Sequence, residues 1–196
     1  MNPEIEAKFL SIDYDEVCTK LNDLGAVCEQ PMRLMRRVVI DSPTMTKNNG
    51  FLRVRDEGDR VTMTYKQFDD LSVDGAKEIE AIVSSFDSMV GILEATGLSV
   101  ASFQESKRET WRLNDAEVVI DEWPWLSRYI EVEAASEGVV RAVAEQLGYD
   151  WSKAVFGDVM VAYRAQYPHL TENDTVGRIS QVRFNDPLPE LLRASR

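Results

Sequence analysis

Glu4-Ile5-Glu6-Ala7-Lys8-Phe9 alternates strictly between charged and apolar side chains. A period of two is a strand pattern, because a helix could not gather the apolar members on one face. Residues 3–11 are therefore expected to form a strand with two unlike faces. Glu4, Glu6 and Lys8 make an ionic row with spacings of about 6–7 Å, and Ile5, Ala7 and Phe9 take the other side. The same parity returns along the chain, grouping Arg53 with Arg55, Thr62 and Thr64 with Lys66, Glu78 with Glu80, Val119 with Asp121, and Glu131 with Glu133. The opposite faces carry Leu52, Val54, Met63, Tyr65, Ile79, Ile120, Ile130 and Val132, which suit a core under helices.

Working outward, residues 13–25 place Val17, Cys18, Leu21 and Leu24 on one stripe, with acids in the first turn and Gly25 as the stop, which predicts a helix. Residues 33–41 end in the β-rich run Val38-Val39-Ile40, and Asn48-Asn49-Gly50 is a turn before the strand 51–55. The tetrapeptide Asp56-Glu57-Gly58-Asp59 joins that strand to 61–66 as a hairpin. Further strands are expected at 77–83, 103–113, 116–121 and 128–134, and helices at 86–96, 137–147 and 153–166. About eight strands result, which predicts an α+β protein: one antiparallel sheet closed into an eight-stranded β-barrel, with helices packed outside. The barrel domain spans residues 1–167. The tail 168–196, punctuated by Pro168, Pro187 and Pro189, carries no recognisable motif and reads as an appendage on the surface or flexible.

The chain has 196 residues and a net charge of −12, from 22 Lys plus Arg against 34 Asp plus Glu. Hydrophobic residues at 44% and charged residues at 29% allow a real core and exclude disorder or a disulfide scaffold. No apolar run approaches the roughly 18 residues that span a bilayer, and Pro3, Glu4, Glu6 and Lys8 do not make a leader, so a cytoplasmic protein with no membrane partner is expected. Cys18 and Cys28 are too few for a disulfide framework and lack zinc-ligand spacing, which predicts reduced core thiols. The acidic balance repels nucleic acid, so an anionic ligand would need a local concentration of Lys and Arg.

An open, solvated sheet face usually mixes Thr, Ser, Gln and Lys. Here one face collects Glu4, Glu6, Glu78, Glu80, Asp121, Glu131 and Glu133 with Lys8, Arg53, Arg55, Lys66 and Arg108. Turned inward, it makes a wet, charged lumen, costly without a ligand because desolvated charges need partners. Carboxylates hold a hard divalent cation and bases hold phosphates, so the mixture suits a metal-bound polyphosphate. With no Cys or His among the carboxylates, Mg²⁺ or Mn²⁺ is favoured over zinc.

Glu4-Ile5-Glu6-Ala7-Lys8-Phe9 resembles the ExExK signature of the CYTH superfamily, the triphosphate tunnel metalloenzymes, which includes class IV adenylyl cyclases, thiamine triphosphatases and inorganic triphosphatases. The resemblance continues through Phe51 to Arg55, the Lys66 strand, Lys77 to Glu80, Lys107 to Trp111, Val119 to Asp121, and Ile130 to Glu133, covering roughly residues 3–167. It implies an antiparallel tunnel in which Glu4, Glu6, Asp121, Glu131 and Glu133 hold Mg²⁺ or Mn²⁺. It further implies that Lys8, Arg53, Arg55, Lys66 and Arg108 are the catalytic cations that grip a triphosphate, with Glu78 and Glu80 in the substrate-binding set. Val39 stands where several triphosphatases of the family have a tunnel tyrosine, so that phenol's role does not carry over. Arg37 shares the parity of Val39 and is a further substrate-binding candidate.

Elsewhere, His169 beside Pro168 reads as a surface residue, which argues against a His-based triad. Trp123-Pro124-Trp125 reads as a loop packed at the barrel mouth, with a stacking surface for an organic group as the alternative. Tyr163 and Tyr167 read as core residues. The expected function is a divalent-metal-dependent triphosphatase acting on ATP, tripolyphosphate or thiamine triphosphate. The alternatives are an adenylyl cyclase, which would direct the ribose 3′-hydroxyl at the α-phosphorus, and a non-catalytic polyphosphate-binding module. Oligomeric state is left open.

Overall fold

The computed structural model describes residues 1–193. Its first strand breaks at Ile5 into β1 (Asn2–Glu4) and β2 (Glu6–Phe9), and this break closes the sheet. The other strands around the ring are β3 (Val27–Asp41), β4 (Gly50–Asp56), β5 (Val61–Phe68), β6 (Ala76–Val83), β7 (Ser99–Leu113), β8 (Ala116–Glu122) and β9 (Tyr129–Glu133). Their order is β1-β6-β5-β4-β3-β7-β8-β9-β2, antiparallel throughout. Since β1 pairs with β6 and β2 with β9, one stretch of chain joins both ends of the sheet into a nearly closed barrel. The single strand expected at 3–11 is thus two, ending at Phe9, and nine segments surround the ring. Closure requires residues 2–9 to change neighbours midway, which a uniform alternation does not announce.

The barrel interior is charged, so the apolar cores lie outside it. The helix α1 (Tyr14–Asp23) starts at Asp13, whose carboxylate accepts from Glu16 N at 3.0 Å, and ends before Gly25 at φ +76°, a conformation glycine adopts without strain. With α4 (Glu137–Gln146) it buries Val17, Leu21, Val140 and Val143 on Ala7, Phe9, Val118, Ile120, Ile130 and Val132. A second cluster sets Phe86 of α3 (Phe86–Ala95) on Val38, Ile40, Leu52 and Val54. Because α3 lies over β3, β4 and β7, the outer side of β6 stays uncovered. Ile79, expected under a helix, is accordingly exposed.

Other boundaries also differ from expectation. β3 begins at Val27, six residues before the expected start, and a short helix α2 (Pro43–Lys47), capped by Ser42, precedes the Asn49 turn. The helix expected at 153–166 is a 3₁₀ turn at Trp151–Lys153 followed by α5 (Met160–Gln166), with Gly157 between them at φ +116°. Both cysteines are free; Cys18 is half-buried, but Cys28 is exposed on β3 and is not a core thiol. Among the described residues no helix is long and apolar enough to cross a membrane.

The tail builds a third core instead of lying apart. Leu170, Val176, Val182 and Leu192 pack with Trp123, Tyr129, Met160 and Tyr163, and β10 (Gln181–Val182) adds to β7 in parallel. Tyr163 Oη donates to Pro124 O at 2.7 Å and Trp125 Nε1 to Asp186 O at 3.0 Å, so α5 and the tail clamp the Trp123-Pro124-Trp125 loop onto the barrel. The tail sequence hides this because its apolar residues have no helix or strand period. Leu192 is 1% exposed, and Leu192→Ala is expected to cost about 2–5 kcal/mol in chemical denaturation. A tail merely resting on the surface would give a change within about 0.5 kcal/mol.

Candidate functional site

Strand register aligns the interior rows of neighbouring strands. Across β3 and β4, Arg37 lies opposite Arg55 and Val39 opposite Arg53; across β4 and β5, Arg53 meets Thr64 and Phe51 meets Lys66. On β5 and β6, Thr64 meets Glu80 and Lys66 meets Glu78. On the far side Glu6 faces Glu133, Lys8 faces Glu131, Glu117 faces Glu133 and Arg108 faces Asp121. The ring order sets β3 and β4 across the lumen from β2 and β9, so a guanidinium wall stands opposite a carboxylate wall. Like charges directly opposite one another weaken a sheet, and both walls contain them.

The cavity between these walls is about 250 Å³. All thirteen residues singled out from the sequence line it: Glu4, Glu6, Lys8, Arg37, Arg53, Arg55, Lys66, Glu78, Glu80, Arg108, Asp121, Glu131 and Glu133. His169 lies outside the cavity and is exposed, its Nε2 3.1 Å from Leu191 O. Tyr163 is fully buried in the third core and Tyr167 half-buried beside it.

Several of the charges neutralise each other. Lys8, 2% exposed, has Nζ 2.7 Å from Glu6 Oε1 and 3.3 Å from Glu131 Oε1. Arg108 grips Asp121 with two bonds of 2.7 and 2.6 Å and reaches Glu131 Oε2 at 3.0 Å. Burial opposes ionisation of Glu131, but Lys8 and Arg108 outweigh it and bring its pKa down to about 2. Burial likewise disfavours the Lys8 ammonium, yet Glu131 and Glu6 raise its pKa above the usual lysine range. Lys66 pairs with Glu4, lowering the Glu4 pKa against the effect of burial.

Other charges are left wanting partners. Arg53 has Nη2 3.1 Å from Thr64 Oγ1 and 3.7 Å from Glu80, and among the described residues neither its buried Nε nor the indole Nε1 of Trp123 has a hydrogen-bond partner. Burial, then the neighbouring Arg55 and Arg37, push the Arg53 pKa well down. Arg37 donates to Gln104 at 2.9 Å and lies 4.2 Å over the Trp123 ring, with no carboxylate ion pair among the described residues. On the other wall, burial and the facing Glu4 push Glu78 up to about 7. Glu133, at the exposed rim, is pushed up to about 7 by the enclosing wall and by Glu4 and Glu6. Unpaired donors on one wall and crowded carboxylates on the other are what a polyanion and a cation would each relieve.

The CYTH domain model matches residues 2–150. The chain belongs to the CYTH domain family. The same barrel occurs in a protein from Vibrio parahaemolyticus described as a putative adenylate cyclase, 14% identical, with a TM-score of 0.71 over 82% of this chain and 97% of that one. It occurs in the PH1012 protein of Pyrococcus horikoshii, 19% identical, TM-score 0.66, covering 77% and 93%. It occurs again in the Hippeastrum protein HpAC1, described as a putative adenylyl cyclase with a dominant triphosphatase activity, 15% identical, TM-score 0.55, covering 83% and 96%. At these identities the likeness is one of fold. No curated protein matches the sequence significantly.

A divalent cation fits this CYTH barrel on its donor chemistry. Glu4, Glu6 and Glu133 each offer a carboxylate oxygen, and the three lie within 4.8 Å of one another. An all-oxygen set suits a hard cation. Asp121 and Glu131 are not drawn into that trio; they are held by Arg108 and Lys8.

Sequence reasoning passed over Glu57, reading it only as part of a turn. It continues the row of Arg53 and Arg55, so the two-residue parity could have found it. The carboxylate, 2% exposed, accepts from Arg55 Nε at 2.7 Å and Arg60 Nε at 3.0 Å, with Arg33 Nη2 at 3.8 Å. Burial would raise its pKa, but Arg55 and Arg60 hold it below the carboxylate norm. Glu57→Gln is expected to lower stability by about 3 kcal/mol or more in urea, since it strands buried guanidinium charge, with Glu57→Asp losing less.

Proposed function

We propose that this CYTH barrel is a divalent-metal-dependent triphosphatase. The observation that carries the reading is two walls of opposite charge across one cavity: Arg37, Arg53 and Arg55 on one side, with Arg37 free of a carboxylate ion pair and Arg53 Nε without a hydrogen-bond partner among the described residues, and the Glu4, Glu6 and Glu133 oxygens converging within 4.8 Å on the other. A polyphosphate supplies anionic oxygens in series to the first, and Mg²⁺ or Mn²⁺ satisfies the second. A simple polyanion-binding module needs only the bases, and the acids would weaken it, so the acidic wall favours chemistry.

The roles follow from position. Arg53 and Arg55 project from one strand two residues apart, and their planar forks suit successive phosphates better than an ammonium does. Lys66 and Arg108 add charge to the equatorial oxygens, while Glu80 and Thr64 orient Arg53. Lys8 fixes Glu6 and Glu131 in one geometry. Glu4, Glu6 and Glu133 would hold the cation, with Asp121 and Glu131 behind them setting Arg108. Bound there, the cation would supply Lewis-acid polarisation of the phosphoryl oxygens. In the reaction water adds to the terminal phosphorus as the bridging P–O bond breaks, orthophosphate and the remaining diphosphate leave, the water's proton passes to a phosphate oxygen, and the guanidinium wall neutralises charge on the oxygens as it develops. The two free thiols suit a cytoplasmic setting.

Cyclisation of ATP would use the same grip with the ribose 3′-hydroxyl as nucleophile, and product identification separates the two. Incubation with ATP, tripolyphosphate and thiamine triphosphate is expected to release orthophosphate; cyclic nucleotide with pyrophosphate would support the cyclase. EDTA is expected to abolish turnover and added Mg²⁺ or Mn²⁺ to restore it, and activity persisting with metal content verified as nil would end the metal mechanism. Arg55→Ala is expected to cost roughly 10–1,000-fold in kcat/KM, with Arg55→Lys rescuing only part. An unchanged kcat/KM on every substrate would remove Arg55 from the site.

A further inference from the structure

A second cavity, about 300 Å³, adjoins the charged one. Arg37, Phe51, Asp158 and Val159 line both, so the two share a wall instead of lying on separate surfaces. The second is different in kind. Val39, Phe51, Phe68, Met160 and Val176 give it a larger apolar patch than the first cavity has, beside the polar Thr46, Asn49 and Thr175 and a charged margin of Asp41, Asp158, Glu172, Arg164 and Arg178. Its volume is at the lower end for small-molecule sites, and its apolar patch with polar and charged groups around it offers both burial and hydrogen bonding to one ligand.

Its roof lies outside the matched CYTH region. Met160 and Thr175 to Arg178 lie beyond residues 2–150, the part matched by the CYTH model. They are fixed by the third core: Met160 and Val176 are each 2% exposed, and Val176 N lies 3.3 Å from Met160 Sδ. The floor depends on Val39, whose small side chain at a lumen-facing position leaves the space open. Arg37 stands at the junction, steadied by Gln104 and Trp123 and free of any carboxylate ion pair among the described residues.

We infer that this second cavity receives the organic end of a nucleoside triphosphate, with Arg37 meeting the phosphate that carries it. The inference rests on the triphosphatase reading of the first cavity and narrows its substrate class. An inorganic polyphosphate has no group that gains from Val39, Phe51, Phe68 and Met160. A flat aromatic base gains burial against them. Its polar edge and the ribose hydroxyls find Asn49, Thr46 and Thr175 at the margin. A tail fastened over the barrel thereby becomes a determinant of specificity.

The test compares ATP with tripolyphosphate on the full-length protein in Mg²⁺, for wild type, for Val39→Phe, which fills the cavity, and for Phe68→Ala, which removes a wall. Melting curves accompany each, and calorimetric binding of the β,γ-methylene analogue of ATP gives a readout independent of turnover. Wild type is expected to prefer ATP in kcat/KM. Both variants are expected to lower the ATP to tripolyphosphate ratio at least ten-fold and to weaken analogue binding, whichever of them folds. Tripolyphosphate turnover with ATP rejected, or an unchanged ratio in the folded variants, would overturn the inference and leave the hydrolase standing. Failure of both substrates and of the analogue would overturn both.

Discussion

Cross-strand register is the constraint on which the rest of this structure depends. In an antiparallel ring the residue opposite each side chain is fixed once one pair is fixed, so the placement of Arg37 opposite Arg55 carries Val39 to Arg53, and Glu6 opposite Glu133 carries Lys8 to Glu131. Some of these pairs help folding and some oppose it. Lys8 against Glu131 is an attraction; Glu6 against Glu133 and Arg37 against Arg55 are repulsions that a one-residue slip would remove. A slip would, however, turn Ala7, Val38, Val54 and Val132 into the lumen and take them from the outer cores. The apolar faces therefore hold the charged faces in a register the charges alone would not choose.

That division explains why the helices matter to a site they never enter. With no apolar core inside the barrel, α1, α4 and α3 supply the apolar cover for the outer strand faces, and the tail supplies it around Trp123 and Tyr129. That cover, together with Glu57 on Arg55 and Gln104 on Arg37, offsets the cost of gathering Arg53, Arg55 and Arg37 within one wall.

How much of this was legible follows from which signals are local. The row Glu4-Glu6-Lys8 and its counterparts on β4, β5, β6 and β9 were legible because strand parity is a two-residue property, and every charged residue it singled out lines the cavity. Arg108 and Arg37 followed from the resemblance and from parity with Val39. The change of neighbours at Ile5 was not legible, because it belongs to the closed ring and no local residue marks it. Nor was the tail: Leu170, Val176, Val182 and Leu192 are separated by polar residues without period, and their burial is decided by the Trp123-Pro124-Trp125 loop far away in sequence. The exposure of Ile79 was missed for the same reason, since parity says which face a residue takes but not whether a helix covers it.

The charges inside the barrel divide into two kinds with different uses. Glu6, Lys8, Glu131, Arg108 and Asp121 form a continuous chain of ion pairs from β2 through β9 to β7 and β8, complete without a ligand. Such a chain is a weak source of net stability but a strong source of geometry, because removing any member strands its neighbour. It fixes the spacing of the lumen walls. Arg37, Arg53, Glu78 and Glu133 lie outside that chain, and their pKa values are displaced in the direction that disfavours charge. A ligand carrying both signs, as a metal-bound polyphosphate does, reverses that displacement on both walls at once. Binding energy would then come largely from relieving repulsion already built into the free protein, and the paired chain would keep the walls apart while it does so.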